Sequence, residues 1–245
     1  IAPTGVPYVI TTPKKYRGHG WAALGVSAGN FNSGTASNDM YTLAAYNDNT
    51  NSLAVGRVSE DTKGSVFQLE MNVGKQIAPK WVIQGGVGYM ERNTAGTSNI
   101  VSARGDAMSN LSSESFASAL VGEPYELENS LQMITVPLQV GYILLDNKVG
   151  VRLLTGIANE IMLKYQVQDS DGNLSRQAYK PGETDEYQAY GLSALLSTEI
   201  NYTIAERYQL ALRPQVRQSL ISLRDVDGSL PRSLELGFAM RYQFE

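Results

Sequence analysis

The chain has 245 residues, 42% of them hydrophobic and 18% charged, with a formal net charge of −4, no cysteine and 14 tyrosines against 5 phenylalanines. Disulfides and thiolate metal sites are excluded, and without a basic run nothing points to nucleic acid. No segment approaches the ~18 consecutive apolar residues of a membrane helix, so only strands are left to cross a bilayer.

In chain order, Ile1–Arg17 contains Pro3, Pro7 and Pro13 and reads as an extended linker, with residues 18–245 as the folded domain. Starting at Ile1 without Met or a signal peptide, the chain reads as a processed or truncated product. Period-2 alternation then predicts about eight strands, near Trp21–Phe31, Ser65–Ile77, Trp81–Arg92, Gln132–Leu145, Val149–Lys164, Tyr187–Tyr202, Tyr208–Leu220 and Leu234–Phe244. The first is the least marked, since both its faces are small. In the second, Phe67, Leu69, Met71 and Val73 oppose Gln68, Glu70, Asn72 and Gly74. The last alternates without a fault: Leu234, Leu236, Phe238, Met240, Tyr242 and Phe244 oppose Glu235, Gly237, Ala239, Arg241 and Gln243.

The connections sort by length. Those after the second, fourth and sixth strands are tight, whereas Asn32–Gly64, Asn93–Leu131, Gln166–Glu186 and Ser222–Arg232 are long, polar loops. Strict alternation of short and long predicts an all-β, antiparallel transmembrane barrel in an outer membrane. Short turns and both termini would face the periplasm, and the long loops the outside. Trp81, Tyr142, Tyr202, Tyr208, Tyr242 and Phe244 all sit beside short turns or the C-terminus, forming one interfacial girdle. Tyr89, Tyr190 and Phe67 supply the other. Alternation alone also allows a soluble barrel with its polar face in water. That face, however, carries Gly74, Gly86, Gly88, Gly141, Gly156, Gly191 and Gly237, which suit a crowded interior better than an exposed surface.

The same face brings Glu70, Glu199 and Glu235 against Arg152, Arg213, Arg217 and Arg241, a lumen charge network with Gln68, Gln84, Gln139, Gln215 and Gln243 among it. An eight-stranded barrel is just wide enough for side chains to fill it, so this predicts a paired plug in place of a gated path. No catalytic residue, cofactor or metal is expected. The only histidine, His19, falls just before the first strand on the periplasmic rim, where Gly18-His19-Gly20 reads as a chain-entry feature, and no loop carries a carboxylate dyad. Asp169-Ser170-Asp171-Gly172-Asn173 opens like a calcium loop, but position twelve is Lys180 where a bidentate glutamate belongs. Like Asp225-Val226-Asp227-Gly228, it reads as an Asp-Gly turn. Tyr41, Tyr46, Phe116 and Tyr125 are candidate contact aromatics on the long loops, with loop packing the commoner role for such residues.

A C-terminal strand ending on Tyr242-Gln243-Phe244 resembles the signal that outer-membrane barrels present to their insertion machinery. Met133-Ile134-Thr135-Val136-Pro137-Leu138, Gly156-Ile157-Ala158-Asn159-Glu160-Ile161-Met162-Leu163, Arg213-Pro214 and the Pro231-to-Phe244 ending resemble outer-membrane barrels of Bacteroidetes, of the PorT/OmpX-like kind. The resemblance covers about half the chain, from Met133 onward. It implies outer-membrane lipid, the insertion machinery and protein partners in the outer membrane or periplasm. One subset of that group carries such a barrel at the end of a dual membrane-spanning anti-sigma factor. The Pro-containing start, spacious loops and Pro231-Arg232-Ser233-Leu234 run resemble that subset most, which implies a non-catalytic envelope anchor or sensor. The alternatives are an accessory subunit of a secretion or outer-membrane complex, and a surface adhesin or ligand-binding barrel.

Overall fold

The computed structural model describes residues 19–32, 41–47, 52–100, 121–169, 177–181, 188–221, 223 and 230–244. Ten strands run in chain order: β1 (Gly20–Asn32), β2 (Tyr41–Asn47), β3 (Ser52–Ala78), β4 (Trp81–Ile100), β5 (Val121–Asp146), β6 (Val149–Asp169), β7 (Gln177–Tyr179), β8 (Tyr190–Ala205), β9 (Tyr208–Ile221) and β10 (Arg232–Phe244). All ladders are antiparallel. Eight strands, all but β2 and β7, form a closed ring, because β1 pairs β10 on one side and β3 on the other. Gly20 stands opposite both Phe244 and Lys75 at the closure. Closure removes the free edges that an open sheet of this size would expose. Two-residue gaps at Pro79-Lys80, Asn147-Lys148 and Glu206-Arg207 define a turn rim; the long connections define a hairpin rim.

Side-chain burial decides which face is inside. Leu234 is 62% exposed and Phe238 58%, whereas Glu235 between them is 2% exposed. The soluble alternative requires the reverse, and the polar face is the buried one. The apolar side chains form a belt around the outside, which makes this a transmembrane barrel. On β4 the belt runs from Trp81 to Tyr89, and on β5 from Tyr142 back to Ile134, nine residues each by the paired register. That matches the ~9–11 residues with which a tilted strand crosses a bilayer. At the hairpin side the belt ends on one continuous ladder row, Tyr89–Ile134–Ile161–Tyr190.

The long loops expected from sequence need correction. Ser52–Gly64, Asn93–Ile100, Val121–Leu131 and Gln166–Asp169 are not loops but strand, continuing β3, β4, β5 and β6 past the belt. Short β2 pairs Tyr41–Asn47 with Val58–Ser52, and β7 pairs with Tyr165–Val167 of β6. The physical reason is that the backbone ladder continues while lipid does not. Outward-facing rows become Glu91–Gln132–Lys164 and Ser65–Asn93–Ser130, which are polar, while Leu131, Tyr165 and Val167 keep the inner face apolar, so the apolar-outward pattern of the crossings ends. The segment 1–17, residues 170–173 and 225–228 of the two Asp-rich turns, and Phe116 lie outside the described residues, as do the side chains of Tyr41, Tyr46 and Tyr125.

Candidate functional site

Every ring strand aims alternate side chains into the lumen, and these stack in three layers. Near the turn rim Trp21, Ala23, Val82, Ile143 and Leu154 form an apolar floor. The indole lies against Gly74 so closely that a Cβ there would strike it, and Gly141 leaves the same room for Leu154 and Val82. β1, whose faces looked small in the sequence, thus supplies the bulkiest member of the floor.

Charge begins on top of the indole. The Arg152 and Arg241 guanidiniums lie 4.9 and 4.8 Å from the Trp21 ring, within cation–π range. Both turn to Glu199, Arg241 at 2.6 Å and Arg152 at 3.8 Å, and Asn201 bridges by donating to Glu199 and accepting from Arg241, 3.1 Å each. Above, Arg213 pairs with Glu70, which also accepts from Gln68 at 3.2 Å. Arg217 is the hub. Its Nε donates to Glu235 and one Nη to Glu160, both at 3.1 Å, and the other Nη reaches Gln68 at 2.7 Å. Ser233 and Gln215 also donate to Glu235, and Ser193 and Arg92 to Glu160.

The third layer closes the hairpin side. Phe31, Val66, Met90, Met133, Met162, Tyr165 and Leu223 are buried together, with Leu131, Val167 and Tyr179 against them. Met90, Met133 and Met162 share one ladder row across β4, β5 and β6. Leu223 lies just past the end of β9, and Gly191 makes room for it.

The structure places Glu70, Arg152, Glu199, Arg213, Arg217, Glu235 and Arg241 inside the barrel and brings each into an ion pair. Two members were missed from sequence, Arg92 and Glu160, 3.0 Å apart. Their signal was present: Glu160 is in phase with Arg152 and Leu154, and Arg92 with Gln84 and Met90. The lumen therefore holds five arginines and four glutamates among the described residues. Buried charges in this number are tolerable only when paired, and losing one partner is costly. What the arrangement does chemically is lock two halves of a ring together between two dry lids. His19 lies outside it, exposed at the turn rim with its carbonyl accepting from the Gln76 amide at 3.0 Å. No group of three potential metal ligands occurs among the described residues.

At the turn rim the outward aromatics pair across strands. Trp81 meets Tyr142 edge-on and Tyr208 meets Tyr242, each at 5.3 Å. Lys80 and Lys148, from the tight turns, lie over Tyr142 and Tyr202 at 5.7 and 5.6 Å. Tyr202 and Phe244 are half exposed on the same band.

No protein-family model matches the chain, and no curated protein matches its sequence. Among solved structures it is similar to Neisserial surface protein A, with 11% identity, TM-score 0.45, and coverage of 91% of this chain and 97% of that one. It is also similar to Ail, the attachment invasion locus protein of Yersinia pestis, with 10% identity, TM-score 0.38, and 93% and 100% coverage. The outer membrane protease OmpT of Escherichia coli has 10% identity, TM-score 0.37, and 92% and 97% coverage. The likeness is one of fold.

Proposed function

We propose that this chain is a closed, non-catalytic outer-membrane barrel: an anchor that displays the β3–β6 extensions at the cell surface for a binding partner. The observation that carries this reading is the lumen, filled by paired charges and stoppered by an apolar layer at each end. A barrel that transports nothing through itself is left with its rims. The hairpin rim is much the more elaborate, and in the proposed orientation it faces outward, with the turn rim and both ends in the periplasm. The Tyr242-Gln243-Phe244 ending is the proposed contact with the insertion machinery.

A second reading is favoured by one observation: Gly20 and Phe244 are ladder partners at the turn rim. A tether preceding the barrel and the barrel's own end would then share one compartment. That is the arrangement an envelope sensor needs, the dual membrane-spanning anti-sigma factor included, and it also suits an accessory subunit of an outer-membrane complex. Planar-bilayer recording tests the closed lumen, with no stable conductance expected; regular single-channel steps would overturn it. Surface labelling of single cysteines placed at Ser98 and Asn147 on intact cells tests the orientation. Ser98 should label and Asn147 should not.

A further inference from the structure

We propose that the outer face of the barrel where β3, β1 and β10 meet binds the phosphate of an anionic membrane lipid, clamped between Lys63 and Arg232. A depression of about 430 Å³ lies there, lined by Asn30, Asn32, Lys63, Val216, Arg232 and Leu234 among others. Asn32 is the ladder partner of Lys63 on one side and of Arg232 on the other. Two strand spacings therefore separate the two cations, roughly 10 Å between Cα atoms, a gap that long side chains close onto one tetrahedral anion. Both residues are exposed, and among the described residues neither has an ion-pair partner. Lys63 also falls in the register break between Glu60 and Gly64, so β4 does not hold its backbone in the ladder.

The position selects the ligand. Directly below the cations, Leu234 and Val216 stand out at 62% and 45% exposure, at the upper edge of the apolar belt. Cations above and exposed aliphatics below match a molecule with an anionic head and an acyl body, and a free phosphate would use only the upper half. Asn30 and Asn32 add amide groups at headgroup height. Among the described residues, the carboxylates that share a cavity with Lys63 are Glu91 and Glu128, on the β4–β5 side away from Arg232, and Glu91 accepts from Ser130 at 2.8 Å. The inference rests on the membrane-spanning reading and is independent of whether the lumen conducts.

The test is native mass spectrometry of the full chain released from detergent micelles, titrated with diphosphoryl lipid A and with its phosphate-free counterpart. Wild type should retain the phosphorylated lipid selectively. Lys63→Gln with Arg232→Gln should weaken retention by about thirty-fold, each cation contributing what a basic residue does at an anionic membrane surface. Lys63→Arg with Arg232→Lys should keep it, and so should Lys80→Gln with Lys148→Gln at the other rim. Equal retention by the double glutamine variant, equal retention of the phosphate-free lipid, or displacement by inorganic phosphate at matching concentration would each overturn the proposal.

Discussion

The two halves of this ring are built to different heights. β3, β4, β5 and β6 have 27, 20, 26 and 21 residues; β8, β9, β10 and β1 have 16, 14, 13 and 13. The low wall is little more than a bilayer crossing, while the tall wall continues well past the aromatic row that ends the belt. Both walls obey one rule inside the membrane, apolar outward and polar inward. Only the tall wall shows what strands do beyond the lipid: they keep pairing while their outward face turns polar. Yet the low wall holds the hub of the interior, since Arg217 on β9 reaches Glu160 on β6 and Gln68 on β3.

That stitching gives the largest expected effect. Arg217→Met leaves the buried Glu235 without its arginine and Glu160 with Arg92 alone, and should cost about 3–5 kcal/mol. Urea-dependent refolding into lipid vesicles measures it, and a loss below 1 kcal/mol would mean the walls are not coupled through this side chain. On the lipid face of the low wall, Leu196→Arg or Leu212→Arg should cost about 2–4 kcal/mol near the midplane. Gln215→Leu, on the luminal face, removes one hydrogen bond to Glu235 and should cost about 1–3 kcal/mol. If Gln215→Leu proved worse than both arginines, the inside–outside assignment would have to be reversed. Gly74→Ala pushes a methyl into the Trp21 ring, an overpacking of about 1–3 kcal/mol. The same variant should blue- or red-shift tryptophan emission, because the indole has to move; an unchanged spectrum would argue against a tight floor.

The smallest effect should come from the most visible structure. Replacing residues 96–127, which join Ala95 of β4 to its ladder partner Glu128 of β5, by a tight turn should change barrel stability by no more than about 2 kcal/mol, because each halving of loop length is worth only about 0.6 kcal/mol of closure entropy. It should instead abolish whatever binding the tall wall performs. Equal binding by the shortened barrel would move the functional surface elsewhere. A large loss of stability would show that the wall braces the ring.

Eight crossings were legible because lipid and lumen impose opposite demands on successive residues; Phe67 through Gly74 or Leu234 through Phe244 can satisfy both only as a strand. The turns were legible for the same reason, as breaks in a strong pattern. Glu160 and Arg92 carried the right phase yet were missed, one inside an apolar run and the other at a strand's end. Beyond the belt, Ser52–Gly64 and Val121–Leu131 read as loop because no lipid demands an apolar outer face there, and the contrast that marks a crossing is gone.

The sequence by itself determined how many times the chain crosses, which face of each crossing meets lipid and where the interfacial aromatics fall, because those properties are local and have period two. Only the tertiary structure decided that Arg217 would meet Glu160 and Gln68, that Trp21 and a row of methionines would close the two ends, and that Lys63 and Arg232 would flank one asparagine. Those depend on ring closure and stagger, which bring together residues far apart in sequence, and no local pattern records that register.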